Sequence, residues 1–391
     1  MIRELDYLVT LCRAHIFGES ITLDETLNFE KLYMVASRHN LSPLAYAVIN
    51  TSENKDVVPK NVFSAFENDF FESVVRYGIQ KTVMDELSDL LSENKIPHIF
   101  FKGAVIKELY PVPEARVMGD VDVLINVKDR DTVKALLIES GFECEKENGP
   151  VYNYRKDNVL IEMHTKIISG RVGSSNAEQY FENAVSFAEF NGFTGALESN
   201  YHFAYLIAHI AHHFWFYGAG IKLIVDLAVI LRNCSIDLSE VLSILSEVGL
   251  EDFAKVILTL CSKWFLTDTD FGSDTAKTEE FLLSYGAFGN VNRNNAAVIE
   301  RKELEEGKAP NSLKTKLRLL FPPYEKLKNI DYISFIEGKP YLTPVAWVYR
   351  FYYNLKYKRS FVKNSVKAIG SDETKGDAEK EFAYFKEIGL L

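Results

Sequence analysis

Cysteine is scarce in this 391-residue chain. Cys12, Cys144, Cys234 and Cys261 are far apart and form no C-x-x-C pair. That spacing argues against a thiolate zinc site, and a chain this long has no need of a disulfide framework. Long apolar runs are missing too. The most apolar stretch, residues 201–231, is interrupted by His209, His212, His213, Lys222 and Asp226, so it reads as buried helix and not as a membrane span. The start, Met1-Ile2-Arg3-Glu4-Leu5-Asp6, carries two acids by position six and does not resemble a secretory leader. A reduced, cytoplasmic protein is the expectation. Positive charge is in deficit, with 44 Lys+Arg against 55 Asp+Glu and a net charge of -11. Phosphate affinity is carried by clustered Lys and Arg, so a general nucleic-acid binder is disfavoured. The 47% hydrophobic and 25% charged content is that of a folded globular chain, and the length allows two or three domains.

Apolar residues recur at helical spacing through residues 1–95, as in Leu5, Leu8, Leu11 and Cys12 and again in Val83, Leu87, Leu90 and Leu91. A polar break at 50–60 divides that region. The character changes at Pro97. His98-Ile99-Phe100-Phe101 reads as a strand entering a turn at Lys102-Gly103, followed by a short helix that Pro111 and Pro113 stop. Residues 117–125 alternate apolar and acidic side chains, the period of a strand, and residues 129–140 read as a helix ended by Gly141. Two further strands are expected near 151–155 and 159–164. Helix resumes near residue 200 and runs to about 265, and residues 267–310 read as a polar surface excursion. The expected organisation is a helical region over 1–95, an α/β domain over 96–195 and a second helical region over 196–391. The fold class is therefore α+β, a small mixed β-sheet domain embedded in a mostly helical protein.

Within the α/β segment the acids are patterned. Asp120 and Asp122 are two apart on one strand, so both carboxylates leave the same face. Glu162 lies on another strand, with Ile161 and Met163 directed to the core and His164 sharing its face. Pairing the strands gathers three carboxylates. Two like charges about 5 Å apart repel by roughly 3 kcal/mol at an effective dielectric near 20. A bound divalent cation reverses that sign, and Mg2+ favours hard oxygen donors combined with substrate phosphates. A D-x-D pair alone is equally compatible with an ordinary half-buried strand. Its neighbourhood adds weight. The glycine of Lys102-Gly103 lets backbone N–H groups approach a phosphate, and Arg116, four residues before Asp120, can neutralise a triphosphate or form a surface ion pair.

Gly103 after a strand, Asp120-x-Asp122 on the next and Glu162 on a later one together resemble the DNA polymerase beta-type nucleotidyltransferase superfamily. More narrowly, FKGAVIKELYP, RVMGDVDVLI and IEMHTKI resemble a bacterial nucleotidyltransferase family with a Lys-Gly turn and an Arg-x-x-x-Asp-x-Asp strand. The likeness covers roughly 95–170 and extends more weakly to IKLIVDLAVIL at 221–231. It implies that Asp120, Asp122 and Glu162 are catalytic and hold two Mg2+ ions, with Mn2+ as an alternative. It implies that Lys102, Gly103 and Ala104 hold the triphosphate of a nucleotide such as ATP. The implied reaction is attack by an acceptor hydroxyl on the α-phosphate, with release of pyrophosphate. One departure is visible: Gly103 is followed by Ala104, where the superfamily usually has Ser or Gly.

Other groups admit two readings each. His202, His209, His212 and His213 cluster on one helix with several on one stripe, and they pack or line an acceptor pocket in preference to holding a metal with Asp226. Lys222 either pairs with Asp226 one turn away or reaches the triphosphate. His164 contacts nucleotide or supports a carboxylate. Residues 347–367 interleave aromatics with Arg350, Lys356, Lys358, Arg359, Lys363 and Lys367, which fits an amphipathic helix better than a nucleic-acid or membrane surface. The acceptor expected is a small molecule or protein in preference to long nucleic acid, with no membrane partner. Two competing functions stay open. One is a glycosyltransferase using the D-x-D pair with a nucleotide sugar, although helix rather than strand–helix units precede the motif. The other is a silent nucleotide- or partner-binding module.

Overall fold

A computed structural model of the chain describes residues 3–147, 149–170, 172–216, 218–284, 286, 301, 304, 317, 320–328, 330–357 and 372–391. Two compact units are present. The first comprises Met1–Glu145 and Asn153–Asn290, and the second Lys146–Tyr152 and Val291–Leu391.

The first unit opens with α1 (Arg3–Phe17), α2 (Phe29–Arg38), α3 (Ser42–Ile49) and the 34-residue α4 (Lys60–Glu93). Asn28 starts α2 by accepting the Lys31 N–H at 2.9 Å. Leu8, Leu11, Leu32, Leu44 and Phe66 close the core between these helices. The polar break expected at 50–60 falls between α3 and α4.

The sheet follows. Its strands are β1 (His98–Phe100), β2 (Asp120–Ile125), β3 (Glu143–Lys146), β4 (Val151–Lys156), β5 (Val159–His164), β6 (Ala188–Asn191) and β7 (Thr194–Leu197), in the order β3-β4-β5-β2-β1-β7-β6. The sheet is mixed: β1 runs antiparallel to β2, while β2 is parallel to β5 and β1 to β7. The fold is α+β. Central position explains the apolar character of β2, whose Val121 and Val123 are fully buried. Between β1 and β2 lies α5 (Gly103–Ile106), and α6 (Arg130–Glu139) follows β2.

α4 braces this region. Gln80 donates to the Met118 carbonyl at 2.9 Å and Ser73 to the Glu114 carbonyl at 2.6 Å, which holds the segment leading into β2. After the short α7 (Ala177–Tyr180) come α8 (Ser199–Phe216), α9 (Ile221–Asn233), α10 (Leu238–Glu247), α11 (Glu251–Phe265) and α12 (Ala276–Ser284). The helix expected over 200–265 is thus four helices. Asp237 caps α10 and Leu266 ends α11 in the left-handed conformation, at φ +54°.

In the second unit, Leu327, Ile333, Ile336 and Ala346 form a small core under Tyr324, Tyr332 and Trp347. The helix Thr343–Tyr357 buries Ala346 while Val345, Val348, Tyr352 and Leu355 are exposed. Lys358, Arg359, Lys363 and Lys367 of the basic–aromatic stretch lie outside the described residues, as does most of the excursion expected over 267–310. Among the described residues no helix is long and apolar enough to cross a membrane.

Candidate active site

The strand register brings the acids together. On the parallel pair β2–β5, Asp122 stands opposite Glu162, Asp120 opposite Leu160 and Leu124 opposite His164. Period-two alternation then sets the faces: Ile161 and Met163 are buried in the core while Glu162 is half-buried on the other side, with His164 beyond it. Ligand atoms of Asp122, Glu162 and His164 lie within 4.8 Å of one another. This is the sole such His/Cys/Asp/Glu group among the described residues.

Asp122 is the hub. Its Oδ1 accepts from Lys102 Nζ at 2.7 Å and from His164 Nε2 at 2.8 Å. Burial works against its charge, but the Lys102 ammonium and the His164 hydrogen bond win and hold the carboxyl down at about 2. Asp120 moves the other way. Burial, followed by the charges of Asp122 and Glu162, raises its pKa, against which Lys102 and Lys222 pull only in part. His164 is pressed down by burial and by Lys102, yet its bonds to Asp122 and Glu162 prevail and its net shift is upward. Its Nε2 is 3.5 Å from Glu162 Oε2.

The turn that delivers Lys102 has an unusual backbone. Lys102 adopts φ +50°, a conformation that side-chain-bearing residues rarely take. Three contacts keep it there: the ion pair to Asp122, the Lys102 N–H directed at His202 Nε2 at 3.4 Å, and the Phe101 N–H bonded to the Asp122 carbonyl at 3.2 Å. Gly103 and Ala104 begin α5 directly afterwards. Gly103 is required for space. A Cβ there would meet Arg116 Nη1 at 2.9 Å and Met118 Cγ and Sδ at 3.3 Å.

Arg116 is buried, and its ion pair lies in the interior instead of on the surface. It grips Asp226 of α9 through Nε and Nη2, each at 2.8 Å, and Tyr110 donates to the same carboxylate at 2.6 Å. The third guanidinium nitrogen, Nη1, is buried without a hydrogen-bond partner and faces the Gly103 turn. Lys107 supports the arrangement by donating to the Arg116 carbonyl at 2.8 Å. Lys222 senses this same pair through its charge. Burial, then repulsion from Arg116, lowers its pKa to about 8, with Asp226, Asp120 and Asp122 opposing.

α8 forms the remaining wall. Tyr205 packs between Phe101, at 5.8 Å, and the rings of His202 and His209. His209 and His213 are 3.1 Å apart through their Nε2 atoms, so one donates to the other. Burial above all holds His202 and His212 near 4 and His213 near 3, with the Lys102 charge adding to it. These histidines are neutral at pH 7. Tyr110, Tyr205 and the backbone bond to His202 carried no sequence signal, because each depends on partners about a hundred residues away.

A family model described as "Uncharacterised nucleotidyltransferase" matches residues 25–266, more than half of the chain. The chain belongs to that family. No curated protein and no solved structure matches it. The span shared with the uncharacterised nucleotidyltransferases includes the turn at Lys102-Gly103, both acid-bearing strands, α8 and α9. It therefore covers every residue of the site described above.

Proposed function

We propose that this chain is a divalent-cation-dependent nucleotidyltransferase that moves a nucleoside monophosphate from a nucleoside triphosphate to an acceptor hydroxyl. The observation carrying this reading is the register of β2 on β5, which sets Asp122 against Glu162 beside the Lys102-Gly103 turn. The acids suit a cation: Asp122 and Glu162 converge beside His164, and with Asp120 nearby three carboxylates share one strand-face neighbourhood. When bound there, Mg2+ or Mn2+ would supply charge neutralisation at the phosphates and polarise the reacting oxygens.

The side chains then divide the work. Lys102, the backbone of Gly103 and Ala104, Arg116 Nη1 and Lys222 gather positive potential where a triphosphate can lie. Glu162, the more open of the opposed acids, takes the proton of the attacking hydroxyl. An O–P bond forms at the α-phosphate, the bridging α–β P–O bond breaks, and pyrophosphate leaves with the electron pair. His164 orients Asp122. The α8 wall of His202, Tyr205 and His209 borders the acceptor side. Positioning and charge complementarity carry the rate in chemistry of this kind. A small-molecule or protein acceptor suits the acidic chain, and a cytoplasmic location suits its thiols.

The test is to incubate the protein with each labelled nucleoside triphosphate and Mg2+ or Mn2+, and to follow pyrophosphate and label transfer. Pyrophosphate release with label incorporation supports the reading. Binding without turnover would instead leave a silent nucleotide-binding module, and turnover of nucleotide sugars alone would indicate a glycosyltransferase. The latter has little structural support, since among the described residues β1 is the only strand preceding Asp120.

A further inference from the structure

The Lys102 ammonium is already paired with one acid of the cluster. It is bonded at 2.7 Å to Asp122 Oδ1, the same oxygen that accepts His164 Nε2 at 2.8 Å. The same carboxylate supplies one oxygen to the ligand set that Asp122 forms with Glu162 and His164. An ammonium and a divalent ion on one largely buried carboxylate disfavour each other, because two positive charges a few ångströms apart in low dielectric repel strongly. Lys102 is also held at φ +50°, a strained backbone that persists only while surrounding contacts enforce it. One of those contacts is the ion pair itself.

We infer that Lys102 is a built-in counterion that competes with the metal for Asp122, so that the protein admits its divalent cation together with a nucleotide and poorly without one. Lys102 leaves Asp122 when a phosphate offers it an alternative partner. The phosphate neutralises the displaced ammonium and the vacated carboxylate accepts the cation. The two ligands are thereby coupled, and by linkage each raises the affinity of the other by the same factor. The inference rests on the nucleotidyltransferase reading for its nucleotide half alone, since the competition between Lys102 and the cation stands on the geometry of the free protein. A consequence runs against the usual effect of altering a binding site: removing this charged side chain strengthens metal binding.

The experiment measures Mn2+ binding directly, by the loss of its free-ion paramagnetic resonance signal and by calorimetry, with and without a non-hydrolysable ATP analogue. Wild type is expected to bind Mn2+ weakly alone and at least tenfold more tightly with the analogue. Lys102→Met is expected to bind Mn2+ alone at least tenfold more tightly than wild type and to lose most of the enhancement by nucleotide. Lys102→Arg keeps the charge and is expected to bind Mn2+ alone as weakly as wild type. Equal or weaker Mn2+ binding by a folded Lys102→Met overturns the inference. Should that variant not fold, the wild-type comparison decides, and Mn2+ affinity indifferent to the nucleotide overturns it. An absence of pyrophosphate release with tighter Mn2+ binding by Lys102→Met would defeat the enzymatic reading while upholding the competition.

Discussion

Arg116 and Asp226, 110 positions apart in the chain, meet through two parallel hydrogen bonds of 2.8 Å in the interior of the first unit. The fork joins the segment entering β2 to helix α9, and so ties the acid-bearing strand to the helical wall. Removing one member of a buried pair leaves the other charge unmatched, at a cost of roughly 3–5 kcal/mol. Asp226→Ala also strips Tyr110 of its acceptor. Urea denaturation is expected to show a loss of that order, and Asp226→Asn a smaller one because one acceptor oxygen survives.

Asp122→Asn preserves the shape of the hub and removes its charge. Metal-dependent pyrophosphate release is expected to drop by at least about a hundredfold, the scale seen when a single charge-stabilising group is lost. Circular dichroism should stay that of the wild type. Pyrophosphate release at the wild-type rate in this variant would contradict the proposed chemistry.

Two glycines are expected to respond oppositely to alanine. At Gly103 the added Cβ would sit 2.9 Å from Arg116 Nη1, and Arg116 is anchored by Asp226 and cannot yield cheaply. Gly103→Ala should cost about 1–3 kcal/mol through overpacking and weaken nucleotide binding. Gly78 lies in the middle of α4 with nothing within 4 Å of its would-be Cβ. Gly78→Ala should stabilise by about 0.5–1 kcal/mol through helix propensity alone. Thermal melts of the two variants read both signs.

Acid should unfold the protein earlier than its carboxylates alone require. Burial lowers His15 and His39 to about 4, and His15 Nε2 and both ring nitrogens of His39 have no hydrogen-bond partner. Their folded pKa lies below the ordinary value near 6.5, so the unfolded chain binds protons that the folded chain refuses. Stability is complete above about pH 6.5 and falls as pH drops toward 4, by roughly 2 kcal/mol for each residue at pH 5. Melting temperatures at pH 7.5 and pH 5 should show the decline, and a variant carrying His15→Gln and His39→Gln should show less of it.

How far the sequence could be read varied with how local each feature is. Strands β1, β2 and β5 showed through their apolar runs and alternation, and the opposed positions of Asp122 and Glu162 follow once those strands pair. Strands β6 and β7 were not legible. β6 is Ala-Glu-Phe-Asn at a sheet edge and β7 is the short Thr-Gly-Ala-Leu, so neither carries a decisive pattern. Helix breaks within 200–265 were hidden by continuous apolar content. The one-turn spacing of Lys222 and Asp226 suggested an intrahelical pair, but Arg116 offers a planar fork that fits a carboxylate at both oxygens and prevails.

By itself, the sequence determined the strand faces, the glycine turn and the acidic cluster, because side-chain direction follows the backbone period within one element. Only the tertiary structure decided which charges meet: Lys102 and His164 on one oxygen of Asp122, Arg116 on Asp226, and His202 at the backbone of Lys102. Such pairings join residues whose separation in the chain says nothing of their distance in space. They are selected by burial, where an unpaired charge costs more than the entropy of holding its partner.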